Sequence, residues 1–111
     1  MQSRGGRAGS PLAIEESRNG DQCLIALSGE LDISNADHLR ERLESARSDV
    51  DRVIVDLSRL AFIDSTGLRI LLRAEQASRT DTGTLSFVRA RGQVERVMKV
   101  AGIDGELSFV D

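Results

Sequence analysis

A short polar stretch, residues 64–68 (Asp-Ser-Thr-Gly-Leu), separates two apolar segments and holds the side chains best suited to chemistry. The hydroxyl of Ser65 can accept hydrogen bonds from the free N–H groups at the start of a helix. A phosphate group on the same oxygen would lie at the positive end of the helix dipole. Because serine is a preferred N-cap residue, spacing alone favours capping over phosphorylation. Ser65 is therefore both a candidate helix cap and a candidate site of modification.

Enzymatic catalysis finds little support in the residues that the chain carries. It has no Cys/His pair, no Gly-rich phosphate loop and no cluster of residues with metal-ligand spacing. Its one histidine, His38, lies beside an apolar helix stripe, where a surface position is expected. We therefore expect no catalytic residue, no metal and no cofactor.

Three aspartates could nevertheless gather where the predicted strands end, namely Asp32, Asp56 and Asp64. A phosphorylated aspartate at a strand end is typical of response-regulator receivers, which use magnesium. No pair of adjacent acidic residues follows the first strand, and the single lysine, Lys99, lies within a predicted helix. A receiver is thus disfavoured, and we expect the three carboxylates to shape the electrostatics around Ser65.

Hydrophobic periodicity predicts the order β-β-α-β-α-β-α-β, which is typical of an α/β fold. The first two strands, joined by the turn signal Asn19-Gly20, must be antiparallel because they lie so close in sequence. The later alternation implies right-handed crossovers, and hence a mostly parallel central sheet with an antiparallel N-terminal strand. The apolar run at 53–57 predicts a strand buried on both faces. The predicted segments are strands at 12–16, 23–27, 53–57, 84–88 and 107–110, and helices at about 34–50, 65–80 and 92–101.

The helix predicted after Ser65 has a face of mostly small side chains that suits packing on a sheet: Ile70, Leu71, Ala74, Ala77 and Ser78. Leu68 and Leu72 lie within about 100° of that face. Either these two leucines complete a wide core stripe, or they form an exposed apolar pair. In the second case Arg69 and Arg73 would border the pair, as in a partner-binding surface.

Composition narrows the class of protein further. The 111 residues predict a single domain at 11–111, preceded by a disordered Gly/Ser/Arg-rich arm at 1–10. A net charge of −3 and the absence of Trp and Tyr argue against nucleic-acid binding. The lone Cys23 fits a reducing compartment and a core position, and no apolar run reaches transmembrane length. We therefore expect a cytoplasmic protein without nucleic-acid or membrane partners.

Residues 55–58 (Val-Asp-Leu-Ser) and 63–68 (Ile-Asp-Ser-Thr-Gly-Leu) resemble the signature of the STAS domain family, in particular of bacterial anti-sigma factor antagonists. Residues 29–32 (Gly-Glu-Leu-Asp) resemble a second segment that recurs in STAS domains. The resemblance implies a STAS-like fold from about residue 12 to the end of the chain. In that family the anti-sigma factor, itself a protein kinase, phosphorylates a serine of the Asp-Ser-(Ser/Thr)-Gly-Leu motif, and by position that serine is Ser65.

The same resemblance implies a binding switch and not an enzyme. The unphosphorylated chain would bind an anti-sigma factor serine kinase and thereby free a sigma factor. Phosphorylation of Ser65 would release the chain, and a serine phosphatase would reset it. The expected partner-binding residues surround the motif: Asp32, Asp64, Ser65, Thr66, Gly67, Leu68, Arg69, Leu72 and Arg73.

Two alternatives stay open at this point. Many family members carry Gly directly after Gly-Leu, where this chain has Arg69, which could change partner choice or pair with a phosphate. The chain could also be a STAS module of another assembly without a kinase partner. A lipid-transport subunit, a stressosome scaffold and a transporter-derived domain are examples of such modules.

Overall fold

The computed structural model describes residues 11–81 and 83–110, so the arm expected at 1–10 lies outside the described residues. In these described residues, five strands and three helices follow one another in the predicted order. Their bounds are β1 Ala13–Asn19, β2 Gln22–Leu31, α1 Ala36–Asp49, β3 Arg52–Ile63, α2 Ser65–Ser78, β4 Thr84–Val88, α3 Gly92–Val100 and β5 Phe109–Val110.

The strands form one sheet in the spatial order β1-β2-β3-β4-β5. β1 is antiparallel to β2, and every other neighbouring pair is parallel. The tight β1–β2 connection uses Gly20 at φ +64°, in the left-handed region that glycine adopts without steric cost. The α/β fold with a mostly parallel sheet and an antiparallel first strand is therefore confirmed.

The core lies on one face of this sheet, where the three helices pack. Parallel strands that follow in sequence order through right-handed crossovers carry all their helices on the same side. Burial accordingly alternates along β3, with Val53, Val55 and Leu57 buried while Ile54 and Asp56 between them are half-buried. The prediction that this run is buried on both faces is wrong, because no helix among the described residues crosses to the second face. Cys23 is buried in the core, as predicted.

β3 is much longer than the predicted strand at 53–57 and continues to Ile63. Its pairing with β2 shifts register twice, between Ala26 and Ser28 and between Gly29 and Glu30. At each shift β3 carries one residue more than β2, which is the pattern of a β-bulge. β3 continues past the end of β4, whose pairing with β3 stops at Val88.

The longer strand moves Asp56 away from the motif. Asp56 lies seven residues before the last residue of β3, or about 20 Å along an extended chain. Its carboxylate accepts a hydrogen bond from the backbone N–H of Ser58 at 2.9 Å. The expectation that Asp56 joins Asp32 and Asp64 around Ser65 is thus wrong.

α2 buries a different set of side chains from the one predicted. Ile70 and Leu71 face the core as expected, whereas Ala77 is exposed. Leu68 is only 7% exposed, so it belongs to the core stripe. Of the two alternatives for Leu68 and Leu72, the wide core stripe is the correct one, because Leu72 is also partly buried against the core.

Glu75, which no sequence pattern indicated, is a buried acid on α2 and only 2% exposed. Its carboxylate accepts hydrogen bonds from the N–H of Ser108 at 3.0 Å and from the Ser108 hydroxyl at 2.8 Å. Arg79 pairs with the same carboxylate at 3.4 Å. Because the Ser108 N–H is bonded to Glu75, the last strand begins at Phe109 and is shorter than the predicted 107–110.

α3 is followed by a glycine cap. Gly102 has φ +77°, and the N–H of Ile103 donates to the carbonyl of Met98 at 3.0 Å. This is the left-handed glycine cap that satisfies the last carbonyls of a helix. Ala101 is exposed because it already belongs to the cap.

The first turn of α2 packs directly on the ends of β2 and β3. A Cβ atom placed on Gly67 would lie 2.8 Å from Cγ of Leu31 and 2.9 Å from Cγ1 of Ile63. Both atoms belong to branched, buried side chains that cannot easily move. Glycine is therefore required at this position by close approach.

We expect Gly67→Ala to lower the free energy of unfolding by about 1–2 kcal/mol. Overpacking costs about 1–3 kcal/mol, and the better helix propensity of alanine offsets less than about 1 kcal/mol of this. Gly105→Ala is the matched control, because its added Cβ would meet nothing within 4 Å. Urea unfolding of both variants checks the prediction, and a Gly67→Ala variant as stable as the parent would contradict it.

Candidate functional site

The residue that caps α2 is Asp64 and not Ser65. Oδ1 of Asp64 accepts a hydrogen bond from the N–H of Gly67 at 2.9 Å. The backbone carbonyl of Asp64 accepts another from the N–H of Leu68 at 2.9 Å. The interpretation of Ser65 as the cap is therefore wrong by one residue. Ser65 is the first residue of the helix and is exposed, and its hydroxyl makes no hydrogen bond within the described part of the chain.

The second carboxylate oxygen of Asp64 reaches across to the loop between β2 and α1. Oδ2 accepts a hydrogen bond from the N–H of Ile33 at 3.1 Å. The Asp64 N–H also donates to the carbonyl of Leu31 at 3.2 Å. One aspartate thus holds the β2–α1 loop against the start of α2, and the two segments form a single surface.

The β2–α1 loop has its own internal hydrogen bonds. Oδ1 of Asp32 accepts hydrogen bonds from the Ser34 N–H at 3.0 Å and the Ser34 hydroxyl at 2.5 Å. The Asn35 side chain accepts from the Asp32 N–H at 3.0 Å and donates to the Glu30 carbonyl at 2.9 Å. Asp32 is only 3% exposed, so it supports the loop and offers a partner very little surface.

Ile33 is a candidate site residue that the sequence motifs did not indicate. Its side chain is 76% exposed, although its backbone is held by Asp64 beside Ser65. A single exposed isoleucine is ordinary on a protein surface. Its fixed place next to the motif makes it a candidate apolar contact. The available signal was an isoleucine in a loop of otherwise polar residues directly after the Gly-Glu-Leu-Asp segment.

The outer face of α2 carries the predicted arginines. Ser65, Arg69 and Arg73 recur at four-residue intervals and are all exposed, so they follow one another along the helix. Among the described residues neither arginine makes an ion pair, since Glu75 on the same helix is bonded to Ser108 and Arg79. The uncompensated charge on this face is therefore positive.

The remaining predicted site residues lie at different depths. Thr66 and Leu72 are half-buried, whereas Gly67 and Leu68 are buried beneath the surface. The structure thus brings the motif and the β2–α1 loop together, but it leaves a smaller exposed area than the sequence predicts. We define the contact surface as Ile33, Ser65, Thr66, Arg69 and Arg73.

A groove of about 250 Å³ between α1 and α2 reaches the contact surface at Arg73. A larger concave site lies at the other end of the sheet. A cavity of about 420 Å³ opens where β3 and β4 begin, and its lining includes Arg47, Asp81 and Thr84. Ser65 lies at the opposite end of the sheet, beyond the last residue of β3. No group of three or more His, Cys, Asp and Glu side chains among the described residues is placed to hold a metal ion. His38 is exposed, as predicted.

Comparisons with known proteins show which relatives this chain resembles. The chain is 27% identical over 94 residues to an anti-sigma F factor antagonist of Paenibacillus polymyxa, covering 83% of this chain and 80% of the relative. Its structure resembles that of an anti-sigma factor antagonist from Mycobacterium paratuberculosis, with a TM-score of 0.77, 25% identity, and 89% and 85% of the two chains covered.

A third comparison supports the fold alone. The Bacillus cell fate determinant SpoIIAA in its phosphorylated form matches with a TM-score of 0.67 at 20% identity, covering 89% of this chain and 92% of that one.

None of the helices in the described residues combines the length and apolar character needed to cross a membrane. Residues 14–111 match the family model described as "Mlab, STAS domain". With almost all of its described residues inside that match, the chain belongs to the STAS domain family.

Proposed function

We propose that this chain is an anti-sigma factor antagonist that binds an anti-sigma factor serine kinase until the kinase phosphorylates Ser65. The observation that carries the proposal is the Ser65 hydroxyl, which is exposed at the first residue of α2 and is not needed for capping. Two relatives named as anti-sigma factor antagonists support it. A phosphorylated form of SpoIIAA, which shares the fold, supports a phosphorylation switch.

The proposed modification requires only a nucleophile from this chain. Oγ of Ser65 attacks the γ-phosphorus of ATP held by the kinase, the bond to the ADP oxygen breaks, and the hydroxyl proton passes to a base on the kinase. The chain is then a substrate of the kinase and not an enzyme itself. A serine phosphatase hydrolyses the phosphoserine and resets the switch, and all three proteins act in the cytoplasm.

The phosphate is expected to change binding far more than folding. It adds about −1.5 to −2 charges at neutral pH. The positive end of α2 tolerates this charge, because the first N–H groups of a helix favour anions. The same charge stands in the middle of the contact surface, next to the carboxylate of Asp64, where it repels an acidic partner surface.

A second candidate function remains, namely a STAS module of another assembly that has no kinase partner. The description of the matched family model, "Mlab, STAS domain", does not mention anti-sigma factors. Affinity capture from the native cell with the tagged full chain separates the two functions. Retention of an ATP-binding anti-sigma kinase supports the first. Retention of transport or scaffold subunits without such a kinase supports the second.

We expect the captured kinase to phosphorylate Ser65 and neither Thr66 nor Ser58. Ser65 is exposed at the helix start, whereas Thr66 is half-buried and Ser58 lies within β3. Incubation with ATP followed by mass spectrometry locates the phosphate, and Ser65→Ala is the control that should abolish it. Modification mainly at Thr66 or Ser58 would refute the assignment.

Ser65→Asp should weaken kinase binding at least about tenfold relative to Ser65→Ala. The carboxylate imitates part of the phosphate charge at a helix end that favours anions. The free energy of unfolding should therefore change by less than about 1 kcal/mol. Thermal unfolding and partner titration measure the two effects separately. Equal affinities for the two variants, or a collapsed melting curve for Ser65→Asp, would count against the mechanism.

Ile33→Ser and Arg73→Ala should each weaken kinase binding about tenfold, since exposed apolar and arginine side chains often contribute 1 kcal/mol or more at interfaces. The free energy of unfolding of each variant should change by less than about 0.5 kcal/mol, because both side chains lie on the surface. Arg96→Ala is the matched control, because Arg96 is an exposed arginine on α3, outside the contact surface. If neither variant differs from the control in partner titration, the contact surface is misplaced.

A further inference from the structure

Arg69 lies one helical turn after Ser65, and both side chains are exposed on the same side of α2. Residues four apart on a helix have Cβ atoms about 5–6 Å from each other. An acidic group N-terminal to a basic one at this spacing is the more favourable orientation. A phosphate on Ser65 would therefore stand within reach of the Arg69 guanidinium.

Among the described residues of the unmodified chain, Arg69 makes no ion pair. The adjacent carboxylate of Asp64 already accepts hydrogen bonds on both oxygens, from Gly67 and Ile33. The carboxylate of Asp32 is buried and bonded to Ser34. A phosphate would thus be the one strongly anionic group that this side of the helix start presents to Arg69.

We propose that Arg69 is the phosphate-binding residue of the switch, and that it pairs with phosphoserine 65 within the same helix. The inference rests on the proposed phosphorylation of Ser65. A planar guanidinium can donate two parallel hydrogen bonds to phosphate oxygens. One modification then changes the contact surface twice, because it adds a negative charge and also withdraws the Arg69 cation from the partner.

Arg73 provides an internal comparison for this proposal. It is exposed and makes no ion pair among the described residues, as does Arg69. It lies eight residues after Ser65, which is about 12 Å along a helix axis. This separation is too long for direct pairing with the phosphate, so Arg73 stays available to a partner.

The test uses the full chain with phosphoserine installed at position 65 during translation, and therefore needs no kinase. Titration followed by ³¹P NMR gives the second pKa of the phosphate. A nearby cation favours the dianion and lowers this pKa, so we expect Arg69→Gln to raise it by about 0.2–0.4 of a unit. Arg73→Gln, the matched control, should leave it unchanged, and Arg69→Lys should restore part of the effect.

Comparison of these variants separates the effect of Arg69 on the phosphate pKa from the effects of the other nearby charges. The carboxylates of Asp64 and Asp32 raise the phosphate pKa and the start of α2 lowers it, but both effects are the same in every variant. A phosphate pKa that Arg69→Gln does not change, or that Arg73→Gln changes equally, would overturn the proposal. Because the phosphate is introduced without a kinase, this outcome is distinct from a kinase that fails to modify Ser65.

Discussion

The Asp64 carboxylate is the interaction on which the site depends. One oxygen caps α2 through Gly67, and the other holds the β2–α1 loop through the N–H of Ile33. An ionised carboxylate offers acceptors on both oxygens and no donor, whereas asparagine would turn an NH₂ group toward one of the two N–H groups. Serine in this place could serve only one of them with comparable geometry. Because Asp64 caps the helix, Ser65 directly after it does not have to. The Ser65 hydroxyl is therefore available at the positive end of the helix.

The length of β3 places Asp64 where its carboxylate can make both hydrogen bonds. Across two register shifts β3 stays paired with β2 as far as Leu31 and Ile63, whereas its pairing with β4 stops at Val88. The start of α2 then rests on two strands, and Gly67 allows the helix backbone to approach them closely. The start of α2 and the β2–α1 loop pack on paired strands and are held together by the hydrogen bonds of Asp64. Their backbone can therefore stay in place when the charge at Ser65 changes. The helix start is therefore suited to a switch that acts through charge.

Periodicity was sufficient for the order and direction of the strands, because each apolar pattern lies between clear turn signals such as Asn19-Gly20 and Gly102. It could not predict the bulges, since an inserted residue breaks the two-residue alternation on which strand prediction depends. The misplacement of Asp56 follows from this failure. The choice of Ser65 as the cap failed for another reason, because Asp and Ser are both preferred N-cap residues and stand side by side. Glu75 was missed because its partner, Ser108, is distant in sequence.

Charge is distributed at the site in a way that suits the proposed switch. The chain has a net charge of −3, but the acids nearest Ser65 have their carboxylates bonded to N–H and hydroxyl groups. The exposed face of α2 instead presents Arg69 and Arg73, two positive charges without ion-pair partners among the described residues. A phosphate of about −1.5 to −2 charges nearly cancels both. The exposed groups then change from positive to almost neutral within about 12 Å, a distance comparable to the screening length of physiological salt. A partner with an acidic surface would lose its attraction to this face, although no strand or helix has moved.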